Sequence, residues 1–340
     1  FIKIFTLLFL IIAYFKPTFS KDIENISIND AGFSEKKLRK IDKVFNKAIQ
    51  NNEIPGAVIA ISRYGKIVYK KAFGYQDPQK KIPMAENSIF RIYSMTKPIV
   101  STAAMILNED GILYLNEHLD KFIPKFNNPL VSIEYIDKNN KILEKIVKAK
   151  NKIKIHNLLT HTSGLTYGSF GNSFAKNKLK LSKISKLNLE DFFLKDYVHQ
   201  LADFPLAYHP NTVWEYGRSI EVLGRVIEVA SNTSLDIFLK NRIFKPLNMK
   251  DTAFYVEKKN WNRIAEPFTD KQPKLIKIKN KPNFLTGGHG LVSTVDDYMN
   301  FCMMLLKMGK INNKNFLSRK TIEYMTSNHL GKNISRDTPL

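Results

Sequence analysis

The sequence predicts an α/β protein in which an antiparallel sheet is covered by helices and a mainly helical stretch follows it in the chain. Three observations carry that prediction. An amphipathic helical pattern runs from Ser34 to Asn51, two short β-rich runs follow it directly, and from His156 to Met249 the apolar spacing is mostly helical. With 340 residues, one large domain or two interleaved ones are expected.

The elements can be justified in chain order. Lys3 precedes an apolar run from Ile4 to Phe15, and Thr18 and Ser20 give a small-x-small end. This is the pattern of a secretory signal over residues 1–20. Twelve apolar residues are too few to span a bilayer as a helix, so an uncleaved membrane anchor is the lesser alternative. A secreted or periplasmic protein is expected. The chain opens on Phe1, not Met, and is expected to be a fragment at this end.

Leu38, Ile41, Val44, Phe45 and Ile49 then recur at helical spacing behind Ser34, a suitable cap. Ala57 to Ile61 and Ile67 to Tyr69 read as strands joined by a turn at Arg63-Tyr64-Gly65-Lys66. A second helix is expected from Tyr93 to Gly111. Pro98 is tolerated only in a first turn, so the helix begins close to Ser94. Its residues are apolar around most of the circumference, which predicts burial. An irregular hairpin is expected over 131–155. Loops are expected near Gly164 to Asn177 and Phe204 to Asn211, and Gly287-Gly288-His289-Gly290 reads as a bend before a helix from Thr294 to Met308.

The formal charge is +22, from 53 Lys+Arg against 31 Asp+Glu. The lysines are scattered among Ile and Asn, and the densest basic stretch, Lys141 to Lys154, is interleaved with isoleucine. That mixture fits an exposed ribbon rather than a phosphate-binding patch, so no nucleic-acid partner is expected. An acidic membrane or wall surface could still feel the charge. The single cysteine, Cys302, excludes an intrachain disulfide. It lies in an apolar helical run and is expected to be a buried structural thiol. No metal-ligand spacing occurs, so no metal or cofactor is expected.

Chemistry is expected at Ser94-Met95-Thr96-Lys97. Residues three apart share a helix face, so the Lys97 amine can reach the Ser94 hydroxyl. A serine hydroxyl needs a neighbouring base, and lysine serves only where burial favours its neutral form. Ser-x-x-Lys also occurs at Ser34, which opens a surface helix, and at Ser173, which reads as polar loop. Only Ser94 opens a buried helix. On pattern alone, helix capping explains Ser94 as well as catalysis does.

The surroundings add a family resemblance. Ser94-Met95-Thr96-Lys97 ahead of Asn108-Glu109-Asp110-Gly111 resembles the nucleophile helix of the class C β-lactamase-like serine hydrolases. Ile54-Pro55-Gly56-Ala57, Leu158-Leu159-Thr160-His161-Thr162-Ser163-Gly164-Leu165, Phe244-Lys245-Pro246-Leu247-Asn248-Met249-Lys250-Asp251-Thr252 and Gly290-Leu291-Val292-Ser293-Thr294 are similar to further segments of that family, in family order. The resemblance implies a β-lactamase/transpeptidase-like fold with the site in a cleft between the sheet domain and the helical insertion.

It also implies a site tyrosine. Literal Tyr-x-Asn occurs at Tyr114 and Tyr298, in segments the family uses structurally. Trp214-Glu215-Tyr216-Gly217-Arg218 places Tyr216 in the tyrosine position and Arg218 where lactam-active members carry asparagine. Arg218 is therefore expected at the substrate, and its charge is expected to favour the Tyr216 phenolate. His161 is expected to bond its own turn.

A Lys-Thr-Gly or Trp-Gly-Gly strand, the family's third motif, does not occur before Leu340, so truncation is expected at this end also. Catalytic roles thus fall to Ser94, Lys97 and Tyr216. The expected activity is ester or amide hydrolysis of a small molecule through an acyl-enzyme, most readily a carboxylesterase. The alternatives are a β-lactamase or D-Ala-D-Ala peptidase, and an inactive wall-binding homologue.

Overall fold

A computed structural model describes residues 23–186, 192–268, 275–311 and 314–335. The expected signal segment, 1–20, lies outside the described residues. Helix α1 (Glu35–Gln50) is followed by strands β1 (Gly56–Arg63), β2 (Lys66–Asp77) and β3 (Ile82–Pro83), a three-stranded antiparallel sheet in the order β1-β2-β3. Tyr64 and Gly65 both take positive φ, +55° and +74°, the backbone of a two-residue turn whose twist matches the strands. Helix α1 is pinned to β2. Phe45 stacks on Phe73 at 5.6 Å, and Asp42 accepts hydrogen bonds from Tyr69 (2.6 Å) and Lys71 (2.7 Å). Ser34 occupies the cap position of α1, but its hydroxyl makes no capping bond.

Strand β4 (Phe90–Arg91) leads into a 3-10 turn, Tyr93–Met95, and then into helix α2 (Thr96–Glu109). Ile99, Val100, Ala103 and Ala104 of α2 are completely buried, as its all-round apolar sequence predicts. The hairpin β5 (Leu130–Ile136) and β6 (Ile142–Lys148) keeps one register along its length, so it is more regular than expected. The helical part comprises α3 (Ile155–Leu159), α4 (Phe174–Leu181), α5 (Lys183–Lys186), α6 (Leu194–Leu201), α7 (Ser219–Ser231) and α8 (Leu235–Leu239). Ser173 is not loop: its side chain caps α4 by accepting the Lys176 N–H.

Strand β7 (Val292–Ser293) then pairs with β4, and α9 (Val295–Leu306), β8 (Lys310–Ile311), β9 (Lys314–Asn315) and α10 (Arg319–Met325) follow. Thr294 caps α9 through the Asp297 N–H. Cys302 is exposed on α9, against the expected burial. The apolar run there presents its other residues, Phe301, Met303 and Met304, to the core. Among the described residues, no helix is long and apolar enough to cross a membrane.

One large core cluster runs from Ile92 to Ile322 and joins α2 to α7 and the later helices, while Leu38 of α1 packs in a separate small cluster with Ala31 and Val68. A smaller one gathers Ile89, Val256, Ile264, Ile278 and Val292. The β4–β7 pair lies between them and brings the strand before Ser94 beside the strand after Gly290.

Candidate active site

Ser94 sits in the 3-10 turn, one step ahead of α2, and is exposed. Tyr93, just before it, has φ +42°, a left-handed backbone that is uncommon for a bulky residue. The turn is held from both sides. Ile92 N–H donates to Leu291 O (3.0 Å), Leu291 N–H donates to Thr96 Oγ1 (3.1 Å), and Tyr298 Oη donates to Met95 O (3.1 Å). The Ser94 hydroxyl does not cap the helix. Its oxygen lies 2.7 Å from Tyr216 Oη and 3.4 Å from Lys97 Nζ. Lys97, one helical turn on, is 8% exposed. It donates to Gly288 O at 2.8 Å and lies over the Tyr216 ring at 4.7 Å. Serine, lysine and tyrosine thus meet from two remote segments, with a carbonyl from a third. The Ser94 amide N–H has no hydrogen-bond partner among the described residues.

Tyr216 arrives on a bend that only a small residue allows. A Cβ on Gly217 would stand 2.1 Å from Leu165 O, so the chain after Tyr216 lies directly against the loop that follows α3. His161 packs on the Tyr216 ring at 5.1 Å, and its Nδ1 accepts the Gly217 N–H at 3.4 Å. Bonding within its own turn was expected; the backbone does so, His161 N–H donating to Leu158 O at 3.4 Å, but the imidazole bonds the tyrosine segment instead. Burial, reinforced by the Lys97 charge, lowers the His161 imidazole to about 4, so it is neutral at pH 7. Trp214, Tyr167 and Phe170 complete an aromatic collar around Tyr216, at 6.4, 5.4 and 6.0 Å between ring centres. Next to Tyr216, the buried Glu215 pairs with the equally buried Lys176 of α4 at 3.1 Å and accepts from Thr166 Oγ1 at 2.7 Å.

Arg218 departs from expectation. Its guanidinium lies over Tyr167 (4.3 Å) and Tyr197 (5.7 Å) and pairs with Glu221 at 3.2 Å. With its side chain only 17% exposed, it is committed to a buried network. The cation over Tyr216 is Lys97. Glu221, fully buried, also accepts from Tyr167 Oη (3.2 Å) and faces His289 Nδ1 at 3.4 Å. Burial works to raise the Glu221 carboxyl, but His289, Arg218 and Lys97 outweigh it and hold the group at about 2. The Glu221 carboxylate also packs on Gly288, where a Cβ would come within 2.5 Å of it. It therefore supports the loop whose carbonyl receives Lys97.

Glu221, Tyr167 and the Gly288 carbonyl were not singled out from sequence. The signal for Glu221 was an acidic residue at i+3 from Arg218 within the apolar α7 run. A backbone carbonyl leaves no such signal. No group of His, Cys, Asp and Glu able to hold a metal occurs among the described residues.

A family model described as Beta-lactamase matches residues 41–337. Esterase EstB of Burkholderia gladioli is 32% identical over 253 residues, covering 74% of this chain and 60% of that protein. Lovastatin esterase of Penicillium rubens is 28% identical over 86% of this chain and 73% of that protein. Among solved structures, EstCE1, described as a hydrolase with promiscuous acyltransferase activity, superposes with a TM-score of 0.68 at 26% identity, covering 84% of this chain and 75% of its own. A class C beta-lactamase matches at a TM-score of 0.61 and 18% identity, a likeness of fold alone. The chain thus spans about three fifths of EstB's length.

Proposed function

Because this chain belongs to the beta-lactamase family of serine hydrolases, we propose that it is a carboxylesterase that works through an acyl-enzyme on Ser94. The observation that carries this reading is the exposed Ser94 hydroxyl within hydrogen-bond reach of both Tyr216 Oη and Lys97 Nζ. Ser94 Oγ attacks the ester carbonyl, and its proton passes to the Lys97–Tyr216 pair. The uncommitted Ser94 N–H stabilises the developing oxyanion. Collapse of the tetrahedral intermediate expels the alcohol, which Tyr216 protonates. Water then releases the acid by the reverse proton route.

The esterase reading is favoured over lactam hydrolysis by Arg218, which stands where lactam-active members place an asparagine and is turned into the Glu221 network. The names of EstB, lovastatin esterase and EstCE1 point the same way. A small ester is therefore the proposed substrate class. Export is proposed on the apolar run from Ile4 to Phe15 behind Lys3.

The test compares hydrolysis of a short-chain nitrophenyl ester with that of a chromogenic cephalosporin. Ester turnover should dominate. Ser94→Ala should abolish both turnover and fluorophosphonate labelling, and Lys97→Ala should lower kcat by about 10²–10⁴-fold. Dominant cephalosporin turnover would transfer the assignment to lactam chemistry, and labelling that survives Ser94→Ala would end it.

A further inference from the structure

The β5–β6 hairpin is anchored at its base and bare at its tip. Val131 is buried, Ser132 N–H donates to Leu206 O (3.0 Å), and Leu206 N–H donates to Leu130 O (2.8 Å). Farther along, α4 covers one face: Lys178 pairs with Glu144 at 2.7 Å, and Phe174 N–H donates to Glu134 at 2.8 Å. Nothing among the described residues covers the tip. The opposed pair Ile136 and Ile142 is 68% and 61% exposed, and on the other face Ile133, Tyr135 and Leu143 are exposed as well. Such clustering of large apolar side chains on a surface marks an interaction site.

The charges around this tip point to its occupant. Lys138, Lys141, Lys145 and Lys148 are exposed, and among the described residues none of them has a carboxylate at ion-pair distance. The hairpin's own carboxylates are engaged locally. Glu144 is taken by Lys178 and Ser132, Glu134 accepts from Phe174, and Asp137 Oδ1 accepts the Asn139 and Lys141 N–H groups of the turn. A second copy of the hairpin would set lysines against lysines. An anionic bilayer meets both features. Isoleucines enter the boundary between headgroups and acyl chains, tyrosine suits the interface, and lysines meet the lipid charge. The formal charge of +22 strengthens attraction at longer range.

We propose that the tip of the β5–β6 hairpin docks this protein on an anionic phospholipid surface. The test is co-sedimentation of the full-length protein with phosphatidylcholine vesicles that contain or lack phosphatidylglycerol. Binding is expected to the phosphatidylglycerol vesicles and to weaken as salt rises. Ile136→Ser/Ile142→Ser and Lys138→Glu/Lys141→Glu should each lower the partition coefficient at least about tenfold, with far-UV circular dichroism and thermal midpoint unchanged. The proposal is overturned if phosphatidylglycerol vesicles do not bind the protein, or if both variants bind as the parent does. It is overturned as well if Ile136→Ser/Ile142→Ser merely converts a dimer to a monomer on a sizing column, which would make a second copy the occupant.

Discussion

His161 shows how one side chain links stability to the site. Its Nδ1 must accept the Gly217 N–H, and protonation would turn that acceptor into a second donor. In the folded chain the imidazole stands at about 4, against an ordinary value of 6.5. Between those values the unfolded chain binds the proton and the folded one does not. This contribution to stability is therefore full above pH 6.5 and is lost as pH falls toward 4, by up to about 3 kcal/mol. Urea midpoints measured across that window should fall steeply for the parent and less for His161→Asn, whose amide oxygen can still accept. Equal slopes would remove His161 as the cause. At this scale the sequence was legible where pattern is local. The Ser94–Lys97 spacing dictates a shared face, and Ser94 does face Lys97. Arg218 was misread because its fate depends on burial: the Glu221 carboxylate three residues on captures it, and no local pattern shows which way a guanidinium turns.

Elements determine how firmly Tyr216 is held. The Lys176–Glu215 pair ties α4 to the tyrosine segment, and both side chains are almost wholly buried. Removing one partner leaves an uncompensated charge, so Lys176→Met should cost about 3–5 kcal/mol and lower kcat with little change in KM. Lys176→Met/Glu215→Gln should recover part of the loss of thermal stability. If the single variant unfolds as the parent does, the tie is not structural. The turn at Tyr64-Gly65 and the buried α2 were readable because positive φ and all-round apolarity leave marks in composition. The start of α4 was missed because Ser173 looks like loop until its hydroxyl is seen capping Lys176 N–H. The regularity of β5–β6 was hidden because β6, Ile-Leu-Glu-Lys-Ile-Val-Lys, does not alternate strictly between apolar and polar residues.

Across the whole molecule, the site depends on a core that α2, α7 and the segment around Leu291 share. The large cluster takes in Ile92 beside the nucleophile, Ile220 and Leu223 of α7, which follows Tyr216, and Leu291 beyond Gly288. The smaller cluster is joined to it through the β4–β7 pair. Such coupling predicts one cooperative transition. Trp214 stands in the aromatic collar and Trp261 packs on the smaller cluster, and the chain has only these two tryptophans. Trp261→Phe and Trp214→Phe variants, each with one reporter, should therefore give the same urea midpoint after correction for their own stability changes by circular dichroism. Separated midpoints would show that the collar and the smaller cluster open independently. The family motifs made this architecture readable along the chain. The meeting of Ser94, Tyr216 and Gly288 across more than a hundred residues is a property of packing, which no single segment displays.

Cys302 offers a practical handle. The sole thiol of the chain lies on the outside of α9, one helical turn beyond Tyr298, whose hydroxyl holds the Met95 carbonyl beside the nucleophile. Its surroundings push the thiol pKa up, so maleimide attachment will be slow at neutrality and faster in mild alkali. A fluorophore placed there attaches at one known position and reports from the helix that braces the reacting serine, one turn along from Tyr298. With no second sulfhydryl in this sequence, a disulfide between copies can only join two molecules, so storage without reductant should yield a covalent dimer.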